Sequence, residues 1–277
     1  RYGRSRINPN VPDVNTDWYR EVLRDAPIEN HSLSVRGGTQ AATYAVSGSF
    51  FRQEGILDMK NEFERFNLRT KLDYQATDWL KVGGNVLVSN ATAYTPDNGA
   101  FFRAYFAVPI LPVYDDLNTE ATPINLANAQ DLGYRGGQNP FSATLFSENR
   151  HKSRNMVANF FTEVELIPNT LKFRTAYNHN FVAGTSRGVY LPYYFGNGFQ
   201  RANASINRTT TAISNQIIDN TLTFDKSING NHNLQVLAGH SYRDESYEFL
   251  RAQGLDFPAE QTTAWYIDQA ETIPVDG

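Results

Sequence analysis

Glu64-Arg-Phe-Asn-Leu-Arg-Thr-Lys-Leu-Asp-Tyr-Gln75 decides the fold. Phe66, Leu68, Thr70, Leu72 and Tyr74 alternate with Asn67, Arg69, Lys71 and Asp73. A strand sends successive side chains to opposite faces, so one face is apolar and the other charged, whereas a helix would scatter those charges around its circumference. The same period of two recurs at Ser32 to Arg36, Thr43 to Phe51, Lys81 to Ser89, Met156 to Leu166, Leu171 to His179 and Leu234 to His240, with a longer, less regular candidate from Asn207 to Ile228. The pattern predicts about eight strands.

Tight and long connections alternate between them. Gly37 to Gln40, Ala76 to Asp78, Pro168 to Thr170 and Asn229 to Asn231 are rich in turn-forming residues. Arg1 to Asn30, Gln53 to Phe63, Thr92 to Lys152, Val182 to Ile206 and the tail after Tyr247 read as long excursions. In an up-and-down meander this order puts every tight turn at one rim, the asymmetry of transmembrane barrels. Several candidates also exceed the roughly 9 to 11 residues that cross a bilayer. The expected architecture is therefore all-β, an antiparallel up-and-down transmembrane β-barrel, with residues 1–277 supplying about eight strands of a larger one. A water-soluble sandwich with chance parity is the alternative. Trp79, beside a tight turn and near Tyr74, suits headgroup depth and equally suits the ordinary closing of a turn.

Composition permits this. A mean hydropathy of -0.49 with 40% hydrophobic residues fits strands that turn only every second residue to lipid. The most apolar run, Phe101 to Val113, is broken by Pro109 and Pro112 and falls short of the roughly 20 residues of a spanning helix. With 25 basic and 29 acidic side chains and a net charge of -4, the chain has no footprint for nucleic acid. The lack of cysteine removes disulfides, thiolate metal sites and Cys nucleophiles. A start at Arg1 without a signal peptide and an end at Gly277 without a closing strand are read as truncation.

Asn15-Thr-Asp-Trp-Tyr-Arg-Glu-Val-Leu-Arg-Asp-Ala-Pro-Ile-Glu-Asn30, Ser32-Leu-Ser-Val-Arg-Gly-Gly38, Thr43-Tyr-Ala-Val-Ser-Gly-Ser-Phe50 and Glu54-Gly-Ile56 closely resemble SusC/RagA-type TonB-dependent transporters. Arg65 to Asp73, Thr77-Asp-Trp-Leu-Lys-Val-Gly83 and Pro109-Ile-Leu-Pro-Val-Tyr-Asp115 continue the resemblance; beyond about residue 116 only the strand-and-turn style persists. The resemblance implies a barrel of about 22 strands, plugged by an N-terminal domain, lidded by a SusD-like surface lipoprotein, and importing glycans or peptides with TonB-derived energy. Plug, TonB-contacting box and closing strand are not found in this chain, which would cover about a third of such a wall.

Motifs for other chemistry are weaker. Gly184-Thr-Ser-Arg-Gly188 matches a nucleophile elbow, but Val189-Tyr-Leu-Pro-Tyr-Tyr-Phe195 is no helix former, so a flexible glycine-rich loop is preferred to catalysis by Ser186. Asp13-Val-Asn-Thr-Asp17 starts like a calcium loop and fails at Trp18 and Arg24; the resemblance puts Asp17 and Trp18 in a structural loop. Asp115 and Asp116 read as a solvated turn before a cation site. His31, His151, His179, His232 and His240 have no zinc spacing. Glu163 and Glu165 share a strand face and read as lumen-facing polar residues before a glycosidase pair. Tyr190, Tyr193, Tyr194, Phe195 and Phe199 are the candidate contacts: their rings can stack on sugars or anchor a partner, or pack neighbouring loops together.

The reading is a non-enzymatic segment of an outer-membrane active transporter, without cofactor or metal. Its partners are a SusD-like lipoprotein, TonB through a plug elsewhere, a glycan or peptide substrate and outer-membrane lipid. A soluble β-rich carbohydrate-binding or hydrolase module and a passive porin-like barrel are the rivals.

Overall fold

The computed structural model describes residues 13–97, 99–115, 124–129, 138–194, 200–229, 232–257 and 266–273. Its strands are β1 (Ile28–Gly38), β2 (Ala42–Glu54), β3 (Glu62–Thr77), β4 (Leu80–Tyr94), β5 (Ser147–Ile167), β6 (Leu171–Tyr190), β7 (Tyr193–Tyr194), β8 (Gln200–Arg201), β9 (Ser205–Ile228) and β10 (His232–Leu255). Two short helices, α1 (Trp18–Val22) and α2 (Gly99–Phe106), lie in the long connections. Eight strands form one antiparallel sheet in the order β1-β2-β3-β4-β5-β6-β9-β10, while β7 and β8 make a small separate ribbon. No described helix is long and apolar enough to cross a membrane.

All eight expected strands are present, and the meander puts the tight turns at one end. Asn169 and Asn229 adopt φ of 55°, the left-handed conformation that asparagine tolerates in turns. Thr77 Oγ1 accepts from the Leu80 amide at 3.1 Å in the turn before β4. Gly230 and Asn231 lie outside the described residues.

The strands are longer than expected at the opposite end. Residues 182–190, expected in a loop, continue β6; the tail expected after Tyr247 continues β10 to Leu255; and β5 begins at Ser147 instead of Met156. The physical reason is that beyond the apolar stretch both faces are polar, so the period of two disappears while the backbone ladder persists. At 24 residues each, β9 and β10 reach roughly 80 Å along the strand. The Gly184 to Gly188 segment is accordingly strand, not the flexible loop expected of it.

Register shows why the sheet has two unlike faces. One unbroken row across the strands reads Gly37, Tyr44, Leu72, Gly84, Phe160, Tyr177, Ile218 and Tyr242. Leu72 is 52% exposed, Phe160 50% and Tyr242 57%, so these side chains face outward into whatever surrounds the sheet. The glycines serve the rings: a Cβ on Gly84 would meet Phe160 Cδ1 at 2.6 Å, and one on Gly37 would meet the Tyr44 hydroxyl at 2.7 Å. Neighbouring rows change character along their length. Val35, Val46, Thr70, Val86, Ala158, His179, Gln216 and Asp244 run from apolar to charged. The apolar band thus crosses the ladder obliquely, as strands tilted in a barrel wall require.

The opposite face is polar and cross-linked. Asn67 donates to Ser49 at 3.0 Å, Asn159 to Asn178 at 2.5 Å and Ser241 to Asp219 at 2.6 Å. Lys71 pairs with Asp73 at 3.0 Å and Lys172 with Glu163 at 3.3 Å. Buried apolar clusters lie mainly in the long connections and the strand ends beside them; two stacked sheets around a dry interior, the arrangement of a soluble sandwich, are not formed by the described residues.

Candidate functional site

The connections at the long-loop end build a platform above the sheet. Asp17 caps α1, its carboxylate accepting from the Arg20 amide at 3.3 Å, and Trp18 is buried at 3% exposure. Trp18 Nε1 donates to the Val108 carbonyl at 3.0 Å, Thr16 Oγ1 to Leu111 O at 2.7 Å and the Thr16 amide to Pro109 O at 2.7 Å. The Thr-Asp-Trp and Pro109 to Asp115 segments are therefore bonded to one another. Asn139 ties down the next strip of loop, its Nδ2 donating to Val113 O at 2.8 Å.

Helix α2 is turned the unusual way round on this platform. Ala100 and Ala104 face inward, while Phe101, Phe102, Tyr105 and Phe106 are exposed, Tyr105 at 69%. Phe102 and Phe106 pack edge to face with centroids 4.8 Å apart, and Tyr19 of α1 meets Phe101 at 5.6 Å. Small residues inside and rings outside make a contiguous apolar patch, a feature that marks contact surfaces. Reading Phe101 to Val113 only as a possible membrane span overlooks it; the pairs Phe101/Tyr105 and Phe102/Phe106, four apart, carry the signal.

The expected aromatic contacts are partly engaged. Tyr190 closes β6 and donates through its hydroxyl to Asn149 Oδ1 at 3.2 Å. The Arg201 guanidinium stacks over the Tyr190 and Tyr193 rings at 5.2 and 5.1 Å and donates to Phe146 O and Leu191 O at 2.9 and 3.1 Å. Tyr193 also packs on Phe146 at 5.3 Å, whereas Tyr194 is exposed. Phe195 and Phe199 lie outside the described residues.

Ser186 stands opposite His151, with Nδ1 and Oγ 2.9 Å apart. Both belong to regular ladders, so no strained turn or free amide pair is aimed at the hydroxyl, and among the described residues no carboxylate partners His151. Glu163 and Glu165 lie on the polar face as expected, but Glu163 is held by Lys172 and Glu165 accepts from the Asn169 amide at 2.7 Å. His179 contacts Ser214 at 3.1 Å and is a wall residue. Asp116 is outside the described residues.

Charged groups belt the outward wall above the apolar band. Arg52 lies within 3.2 to 3.6 Å of Glu54, Glu62 and Glu64. Lys60 donates to Glu148 at 3.0 Å while covering the Tyr94 ring at 4.1 Å, and Arg187 takes the other oxygen at 2.6 Å. Burial acts to lower the Lys60 pKa, but the Glu148 carboxylate outweighs it and leaves the ammonium above its ordinary value.

No family model matches the chain. TonB-dependent receptor P3 of Formosa agariphila is 30% identical over 262 residues, covering 90% of this chain and 25% of that receptor. TonB-dependent receptor SusC of Bacteroides thetaiotaomicron is 24% identical over 270 residues, covering 91% and 26%. The chain thus spans about a quarter of the length of these relatives. The structure of the RagAB peptide transporter superposes with a TM-score of 0.73 at 20% identity over 94% of this chain and 29% of that one, and the RagAB peptide importer in its open-open state with 0.71 at 19%. These relatives are receptors and transporters, not enzymes. Sequence along nine-tenths of the chain, together with the fold of its sheet, makes it similar to a stretch of TonB-dependent receptors, SusC among them, and to the corresponding part of the RagAB barrel.

Proposed function

We propose that residues 1–277 belong to the barrel domain of an active importer in the bacterial outer membrane, whose plug domain lies outside this chain. The observation that carries this reading is the two-faced sheet: an apolar row from Gly37 to Tyr242 on one side and a polar, hydrogen-bonded face on the other. Lipid solvates the first and the aqueous lumen wets the second, since a spanning sheet must satisfy its backbone by ladder pairing and leave only apolar side chains in hydrocarbon. Among the described residues no strand pairs with the outer sides of β1 and β10, apart from a single bridge between Leu255 and Thr272, and both edges continue the wall in the complete receptor.

A SusD-like lipoprotein caps the long-loop end. The exposed rings of α2, with Tyr194 and its neighbours Tyr190, Tyr193, Phe195 and Phe199, supply contacts to that lid or to a glycan or peptide beneath it. The name of the RagAB transporter favours a peptide cargo and that of SusC leaves the cargo open, so both classes stand. TonB, acting on the plug, supplies the energy.

The test uses the full-length receptor in its own envelope. It should fractionate with the outer membrane and need detergent to stay dispersed, and uptake of labelled peptide or oligosaccharide should vanish when TonB is deleted. Uptake that survives loss of TonB would favour a passive porin. Dispersal without amphiphile would leave only the soluble module.

A further inference from the structure

Above the apolar band the outward wall turns cationic. On β5 the band runs from Met156 to Leu166, about 33 Å along the strand and roughly 25 Å of height at a tilt near 40°, the depth of a hydrocarbon belt. The next same-face positions toward the long loops are Arg154, Lys152 and Arg150, about 7 Å apart. Arg150 stands directly opposite Arg187 on β6, and Arg187 opposite Arg208 on β9. Small residues flank two of these cations: Lys152 is opposite Thr92 and Thr185, and Arg154 opposite Asn90 and Ala183, whereas Arg150 has Tyr94 on its other side. Lys152, Arg154 and Arg208 are exposed.

Of the ladder's cations, acids neutralise only Arg187. Glu148 is already bound by Lys60 and Arg187; Glu62 and Glu64 surround Arg52; and Glu248, in the row of Arg154, is three strands away, about 14 Å. Among the described residues, Arg150, Lys152, Arg154 and Arg208 take part in no ion pair or hydrogen bond with a side chain. Like charges set opposite one another on neighbouring strands repel; Glu148 offsets Arg187 in the middle of the row, and Arg150 and Arg208 on either side of it keep their charges uncompensated.

We propose that this ladder binds the phosphate groups of an anionic lipid headgroup in the membrane leaflet on the long-loop side. The inference rests on the barrel reading, because it takes the Met156 side of the ladder to be acyl chain. That position is also what selects a lipid: a phosphate seated here has an apolar surface directly beneath it, where its own tails would lie. Guanidinium groups grip phosphate through paired N–H bonds, and Lys152 adds a point charge.

The experiment places the full-length receptor in phosphatidylcholine nanodiscs and titrates in diphosphorylated lipid A or its dephosphorylated form, for the wild type and for R150Q/K152Q/R154Q/R208Q. The wild type should prefer the phosphorylated lipid by at least about tenfold, with the preference falling as salt rises and lost in the variant. R154Q alone should lose part of it, which covers a fourfold variant that fails to fold. Equal binding of the two lipids by the wild type, or full preference in the variants, would overturn the proposal. So would competition by inorganic phosphate at matched concentration, or an unchanged preference coupled to loss of a co-purifying lipoprotein. Failure of the wild type to enter the nanodisc would instead bring down the barrel reading.

Discussion

A single arginine distinguishes lipid from water on the outward face. Leu72 lies mid-row between Tyr44 and Gly84, with 52% of its surface uncovered. If hydrocarbon surrounds that half, Leu72→Arg removes about 1 kcal/mol of apolar transfer and adds the roughly 2 to 4 kcal/mol that a cation costs near mid-bilayer, about 3 to 5 kcal/mol in all. If water surrounds it, a surface exchange of this kind stays near 0.5 kcal/mol. Ser89→Arg, on the opposite face between Asn67 and Asn155, is the internal control and should cost under about 1 kcal/mol because the lumen is wet. Urea unfolding of the full-length receptor refolded into lipid vesicles measures both. The ratio carries the argument, because errors common to both titrations cancel. Equal costs for the two substitutions would refute the assignment of the faces, whatever their absolute size.

Two further outcomes follow from packing and exposure. Gly84→Ala should destabilise the same preparation by about 1 to 3 kcal/mol, since the new Cβ would meet Phe160 Cδ1 at 2.6 Å and Asn159 O at 2.8 Å; combined with Phe160→Ala, the part due to the ring should disappear while the part due to the Asn159 carbonyl stays, a coupling that a double-mutant cycle reads directly. Phe102→Ser with Tyr105→Ser should leave the melting temperature of the receptor nearly unchanged, because both rings are exposed, while lowering co-purification of the lid lipoprotein or uptake of cargo by about tenfold or more.

What sequence alone determined is the transverse logic of the sheet. Alternation from Phe66 to Tyr74 named both faces of β3 before any neighbour was known, and residues suited to left-handed turns, Asn169 and Asn229, marked the tight end. These signals are local: a side chain's face depends on parity, and a turn on a few φ values. Tertiary structure decided everything that depends on distance along the chain. The far halves of β6 and β10 carry no alternation, because water on both faces exerts no selection for it, and pairing with β5 and β9 shows that they are strand. Trp18 met Val108, 90 residues away, and α2 turned its alanines inward, only once the loops had packed. The Arg150, Arg187 and Arg208 row likewise joins three strands that are separated in sequence. Register between strands is set by the closing of turns and the matching of faces over the whole sheet, so a row across it is a property of the assembled wall and of no single segment.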